Sequence, residues 1–177
     1  AADMGTGCDT TLAQIAADCL DCDVDDIVVY GVDTDISPYD SGSYASSTAY
    51  VTGNATIKAC TELKQKICAI GARILEVETD AVDFDGKVVY VKGEEEKNVT
   101  LKDISTKNMC GCELNLEVSA SHTSPKSPPP FMASMAEVEV DTETGEIKLV
   151  DFVSCVDCGT PINPALVKIQ VEGGVAQ

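Results

Sequence analysis

The chain has 177 residues, 44% hydrophobic and 24% charged. That is enough apolar content to build a core and too much for a disordered segment. Thirty Asp and Glu against 12 Lys and Arg give a net charge of −18, which excludes non-specific nucleic-acid binding, since that needs clustered cations to displace counterions. No apolar run is long enough to span a membrane and no leader pattern opens the chain, so the expectation is a cytoplasmic protein.

Residues 1–7, AADMGTG, read as a Gly-rich loop. Leu12, Ile15, Ala16 and Leu20 then recur at helical spacing, predicting a helix over 9–20 with Asp9 or Thr10 as N-cap. Ile27 to Val32 read as a strand. The stretch DSGSYASSTAYVTGNA, residues 40–55, has no Lys, Arg or Glu and is dense in small hydroxyl residues. Val51, Ala55, Ala59, Leu63, Ile67 and Ile70 predict a long helix over 46–70 directly after its Ser/Thr run.

Residues 75–91 predict a hairpin turning at Phe84-Asp85-Gly86. GEEEKN, residues 93–98, reads as an acidic solvated loop. VTLKDIS predicts a short helix capped by Thr100. SASHTSPKSPPP, residues 119–130, is a Pro- and Ser-rich connector, with PPP as an extended crossing. MASMAEVEVD and EIKLVDFVSCVD predict two strands joined by TETG. Pro164 marks a last helix start. The class is α+β, with a repeated helix-plus-two-strand pattern. Both ends look abrupt, as in a fragment or a split subunit. The segments are 1–71, 72–120 and 121–177.

Nine cysteines without a secretory signal point to reduced thiols. Cys19 and Cys22, Cys155 and Cys158, and Cys110 and Cys112 have spacings that hold zinc or an iron–sulfur cluster elsewhere. Their contexts, a helix end and a strand running into a turn, favour plain thiols. His122, the single histidine, reads as an exposed loop residue. Asp25-Asp26 and Glu94-Glu95-Glu96 read as solvated faces.

Two loops carry more chemistry. Met4-Gly5-Thr6-Gly7 and Ala45-Ser46-Ser47-Thr48 each precede a predicted helix. Helix-start N–H groups and hydroxyls suit a polar, anionic ligand, and small residues let it approach the backbone.

DMGTGCDTTLAQIAAD, PYDSGSYASSTAYVTGNA, PPPFMASMAEVEVDTETGEIKL and DCGTPINPALVKIQVEGGVAQ occur in this order. Together they resemble the molybdenum-binding part of the xanthine dehydrogenase/aldehyde oxidase family. The resemblance implies repeated helix-plus-two-strand units of a molybdenum cofactor-binding domain, incomplete at both ends of 1–177. It implies a hydroxylase that oxidises a purine, another N-heteroaromatic or an aldehyde with water as oxygen source. Electrons would leave through [2Fe–2S] clusters and FAD on partner domains or subunits. By the same resemblance, Met4, Gly5, Thr6 and Gly7 lie against the pterin, though many members carry Gln where Thr6 stands. Ala45, Ser46, Ser47 and Thr48 bond the pterin and its phosphate. Tyr44 and Ala45 face the substrate side, and Gln177 contacts the cofactor. The family's catalytic glutamate lies beyond Gln177, so no catalytic residue is assigned and the chain alone is expected to turn nothing over. The rival reading is a binding or assembly module holding metal through its cysteines.

Overall fold

The computed structural model describes residues 1–109, 116–126 and 128–177. Cys110 and Cys112 lie outside the described residues. The described chain forms two compact units, 1–125 and 126–177.

In the first unit, α1 (Cys8–Leu20) is followed by α2 (Gly53–Leu75), then β1 (Val82–Phe84), β2 (Val88–Val91), β3 (Glu94–Thr100) and α3 (Leu101–Met109). The three strands form one antiparallel sheet in the order β1-β2-β3. Helix α2 lays Ile67, Ile70 and Ala72 on Val82, Phe84, Val89 and Val99, and Ile104 of α3 closes the cluster. Ile70, Val89 and Ile104 are fully buried, each contributing about 1.5–3 kcal/mol of burial. Gly71 lets the helix reach the sheet, since a Cβ there would meet Val89 Cγ1 at 2.5 Å.

The predicted hairpin and Thr100 cap are present, and the long helix is present over Gly53–Leu75 in place of 46–70, with a π turn over Thr48–Thr52 ahead of it. Thr100 Oγ1 accepts the Asp103 N–H at 3.1 Å and donates to its carboxylate at 2.7 Å, so Thr100 caps the helix start. Three expectations need correction. Residues 27–32 form no strand: no described strand pairs with them, and Val28, Tyr30 and Val32 are more than 70% exposed. A short apolar run without a ladder partner does not make a sheet. Residues 94–98, read as loop, belong to strand β3, because Val89 pairs with Val99 and buries both while the glutamates are exposed. Helix α1 starts at Cys8 with Gly7, not Asp9 or Thr10, as its N-cap.

The connector runs along α2. Lys58 Nζ donates to Ser121 O at 3.3 Å and Lys66 Nζ to Glu117 O at 3.0 Å. Two helical turns match four extended residues in length. This strap leaves His122 half-buried, with Nδ1 lacking a partner among the described residues, instead of fully exposed.

In the second unit, β4 (Phe131–Val140) and β5 (Ile147–Asp157) make an antiparallel ribbon, and α4 (Pro164–Ala176) follows. Asn163 caps α4 by accepting the Leu166 N–H at 3.1 Å, with Pro164 in the first turn as expected. No described helix is long and apolar enough to cross a membrane.

Candidate cofactor-binding site

Helices α1 and α2 run the same way along each other. A Cβ on Gly53 would meet Ile15 Cδ1 at 3.0 Å. Further along both helices, Lys64 of α2 pairs with Asp21 just past α1. Parallel packing puts both N-termini at one end of the unit, so the two Gly- and Ser-rich loops share that end. Residue 31 packs on the first of them: its Cβ would lie 2.6 Å from Ala1 O and 3.0 Å from the Asp9 carboxylate, which leaves glycine as the fit. The Ala1 nitrogen lies 3.2 Å from Asp40, at the base of the second loop.

The first loop is ordered by a residue that sequence reasoning missed. Asp3 Oδ1 accepts the N–H groups of Gly5 (2.9 Å) and Gly7 (3.1 Å), and Oδ2 accepts that of Asp9 at 3.3 Å. Loss of solvent raises the Asp3 carboxyl, but the N–H groups of Gly5, Asp9, Gly7 and Thr6 outweigh it and hold it below its ordinary value. Gly5 and Gly7 take φ of 96° and 75° to make the turn. Met4 is 73% exposed, and nothing lies within 4 Å of where a Gly5 Cβ would stand. The loop therefore offers an open, small-residue surface. Its amides at the start of α1 are already engaged by a carboxylate.

The second loop is built differently. Asp40 Oδ1 accepts the Gly42 N–H at 2.8 Å. That bond, ahead of any loss of solvent, lowers the Asp40 carboxyl. The hydroxyl of Thr48 bonds that of Ser43. Between them Tyr44–Ser46 form a single 3₁₀ turn, in which Ala45 has φ 53°, ψ 34°. Ser46 follows at φ 57°. Two consecutive non-glycine residues in this region cost about 1–2 kcal/mol each. Ser47 then returns to φ −88°, ψ −8°. Left-handed residues beside a right-handed one make backbone concavities whose N–H groups suit anions, and Ser46, Ser47 and Thr48 span such a step here. A π turn over Thr48–Thr52 leads into α2, and its opening N–H groups have no carbonyl a turn behind them.

No Lys or Arg precedes Lys58 in the sequence. Within residues 1–57 no side-chain cation meets an anion at this end, and the second loop offers backbone N–H groups and hydroxyls instead. The donor set fits a phosphate-bearing group there and a neutral flat ring against the first loop. The structure thus brings Met4, Gly5, Thr6 and Gly7 to the same end as Tyr44, Ala45, Ser46, Ser47 and Thr48. Gln177 belongs to the second unit, where its N–H bonds Gly173 O at 3.2 Å.

The sequence matches the family described as "Molybdopterin cofactor-binding domain" over residues 1–177. The chain belongs to that family. It is similar to the "Probable hypoxanthine oxidase XdhD" of Escherichia coli K12, 39% identical over 97% of this chain and 18% of that protein. It is also similar to the "Carbon monoxide dehydrogenase large chain" of Afipia carboxidovorans, 35% identical over 98% of the chain and 22% of the relative. Among solved structures, "Reconstituted CO dehydrogenase from Oligotropha carboxidovorans" superposes with a TM-score of 0.81 at 34% identity, covering 98% of this chain and 22% of that one. The chain thus spans about a fifth of the length of the relatives it matches. Its α+β architecture is that of the family.

Asp3, Cys8 and Asp9 are the one group of three possible metal-ligating side chains brought within 4.8 Å among the described residues. Asp3 is committed to backbone amides there. Burial first, then the charges of Asp3 and Asp9, push the Cys8 thiol up. Of the three, Asp3 bonds the helix start, through the Asp9 N–H. Burial likewise raises the Cys60 thiol, with smaller contributions from Cys19 and Cys22. Alkylation at neutral pH is expected to label exposed Cys155 and Cys158 first and buried Cys8 and Cys60 last. Site-resolved mass spectrometry checks the order, and Cys60 reacting with Cys155 would contradict it.

Proposed function

We propose that this chain is part of the molybdopterin-binding subunit of a molybdenum hydroxylase. The proposed substrate is a purine, another N-heteroaromatic or an aldehyde, with water as oxygen source. The observation that supports this best is the strained turn at Ala45 and Ser46, held at positive φ just ahead of α2 in a chain of this family. Strain of this kind persists where a ligand uses the shape. When bound, the cofactor supplies two-electron redox chemistry at molybdenum.

The chain's own task is holding and orienting. The N–H groups of Ser46, Ser47 and Thr48 take the anionic end. Met4, Gly5, Thr6 and Gly7 lie along the pterin. Tyr44, 76% exposed, and Ala45 are assigned to the substrate side. Gln177 is assigned to the cofactor by resemblance alone. The remainder of the subunit completes the pocket. Partner domains or subunits with [2Fe–2S] clusters and FAD carry electrons onward.

The test is elemental analysis of the complete subunit, purified with its partners, together with the fluorescence of oxidised pterin. About one molybdenum and one pterin per subunit are expected. Zinc at that level without molybdenum would overturn the reading in favour of a cysteine-based metal module.

A further inference from the structure

Asp3 belongs to neither list of cofactor contacts, yet the first loop is built on it. One carboxylate oxygen holds the amides of Gly5 and Gly7, and the other holds that of Asp9. The three bonds span the loop and the first turn of α1. Gly5 and Gly7 sit at positive φ, where glycine has the most conformations to lose. A loop of that composition does not hold one shape without an anchor. No Lys or Arg before Lys58 competes for the carboxylate. Gly31, pressed on Ala1 O and the Asp9 carboxylate, fixes the far side of the same loop.

We propose that Asp3 is a positioning residue: its carboxylate locks the Met4–Gly7 backbone in the shape that receives the pterin, and it fills the anion position at the start of α1. It touches no ligand itself. The inference rests on the reading of residues 4–7 as a cofactor loop. Pre-ordering the loop removes an entropic cost from binding.

Two variants separate the roles of the two oxygens. Asp3→Ala removes all three acceptors. Asp3→Asn, with its oxygen in the Oδ1 place, keeps an acceptor for Gly5 and Gly7 but turns an NH₂ toward the Asp9 N–H. Both are made in the complete subunit, beside Asp33→Asn, which alters another exposed acceptor of a backbone amide. Amide exchange is followed residue by residue in the cofactor-free protein, and pterin per subunit in the loaded protein.

In Asp3→Ala, the amides of Gly5, Gly7 and Asp9 are expected to exchange about tenfold faster or more. The Thr11 amide, bonded to Gly7 O, marks the helix proper and should hold. Pterin content should fall about fivefold or more. Asp3→Asn should speed only Asp9 and retain intermediate pterin, and Asp33→Asn should match the parent. Unchanged exchange at residues 5–9 in Asp3→Ala overturns the inference. So does unchanged pterin in Asp3→Ala when Ser46→Pro lowers it, and then the cofactor reading survives. If neither variant lowers pterin, the cofactor reading falls and takes the inference with it.

Discussion

Gly86→Ala is expected to destabilise the first unit by about 3 kcal/mol or more, through left-handed strain plus overpacking. Gly86 has φ 88°, and a Cβ there would stand 2.1 Å from Asp21 O, 2.6 Å from Asp21 C and 2.9 Å from Cys22 Cα. All three are backbone atoms, so no rotamer change clears them. The β1–β2 turn would have to lift off the end of α1. That end is itself constrained. Asp21 sits at φ 54° as the C-cap of α1 and pairs with Lys64 on α2. Gly93→Ala is the matched comparison. Its φ is 85°, but nothing lies within 4 Å of its Cβ position, so only strain remains, about 1 kcal/mol. Urea unfolding of both variants checks the argument. Equal midpoints would show that packing of the turn on α1 carries no weight.

The same contact reaches the candidate site through α1. The turn seats the C-terminal end of α1, Ile15 against Gly53 seats its middle, and both hold its N-terminus beside the start of α2. A shift of α1 would displace the first loop relative to the second. Gly86 therefore supports the placement of the first loop from the opposite end of the helix.

Local chemistry made much of this legible. The period of Leu63, Ile67 and Ile70 marked α2, Thr100 and Asp103 marked the α3 cap, and Pro164 marked α4. Segments whose state depends on a neighbour did not read correctly. Ile27–Val32 is an apolar run of the strand type, but has no described partner. Glu94–Thr100 looks solvated, yet Val99 on one side of it is enough to seat the strand on Val89. At the site, the hydroxyl-rich composition picked out residues 44–48, but nothing local announced positive φ at Ala45 and Ser46. Asp3 and Asp40 had a readable signal. Asp3-Met-Gly5, Asp40-Ser-Gly42 and Asp157-Cys-Gly159 share the Asp-x-Gly pattern, and in each the carboxylate accepts the glycine N–H. Such turns favour Asp for this bond. Gln177, assigned by resemblance, lies in the second unit.

Ser46→Pro is expected to lower pterin content of the complete subunit about tenfold or more, the loss of one good ligand contact and the turn around it. Proline is held near φ −65° and has no N–H. It cannot take the φ of 57° found at Ser46, and it deletes a donor from the proposed concavity. Ser46 is exposed and outside the core cluster, so the unfolding midpoint should move far less than for Gly86→Ala. Ser46→Gly separates hydroxyl from backbone. Glycine adopts positive φ without penalty and keeps the N–H. If the backbone N–H is what holds the anion, Ser46→Gly retains most of the pterin. If the hydroxyl is, Ser46→Gly and Ser46→Pro lose it equally. Full pterin in both variants would remove the second loop from the cofactor site. The strain at Ala45 and Ser46 makes the first of these outcomes the expected one: a chain that needed only a hydroxyl could present it from an ordinary helix cap, without holding two residues at positive φ.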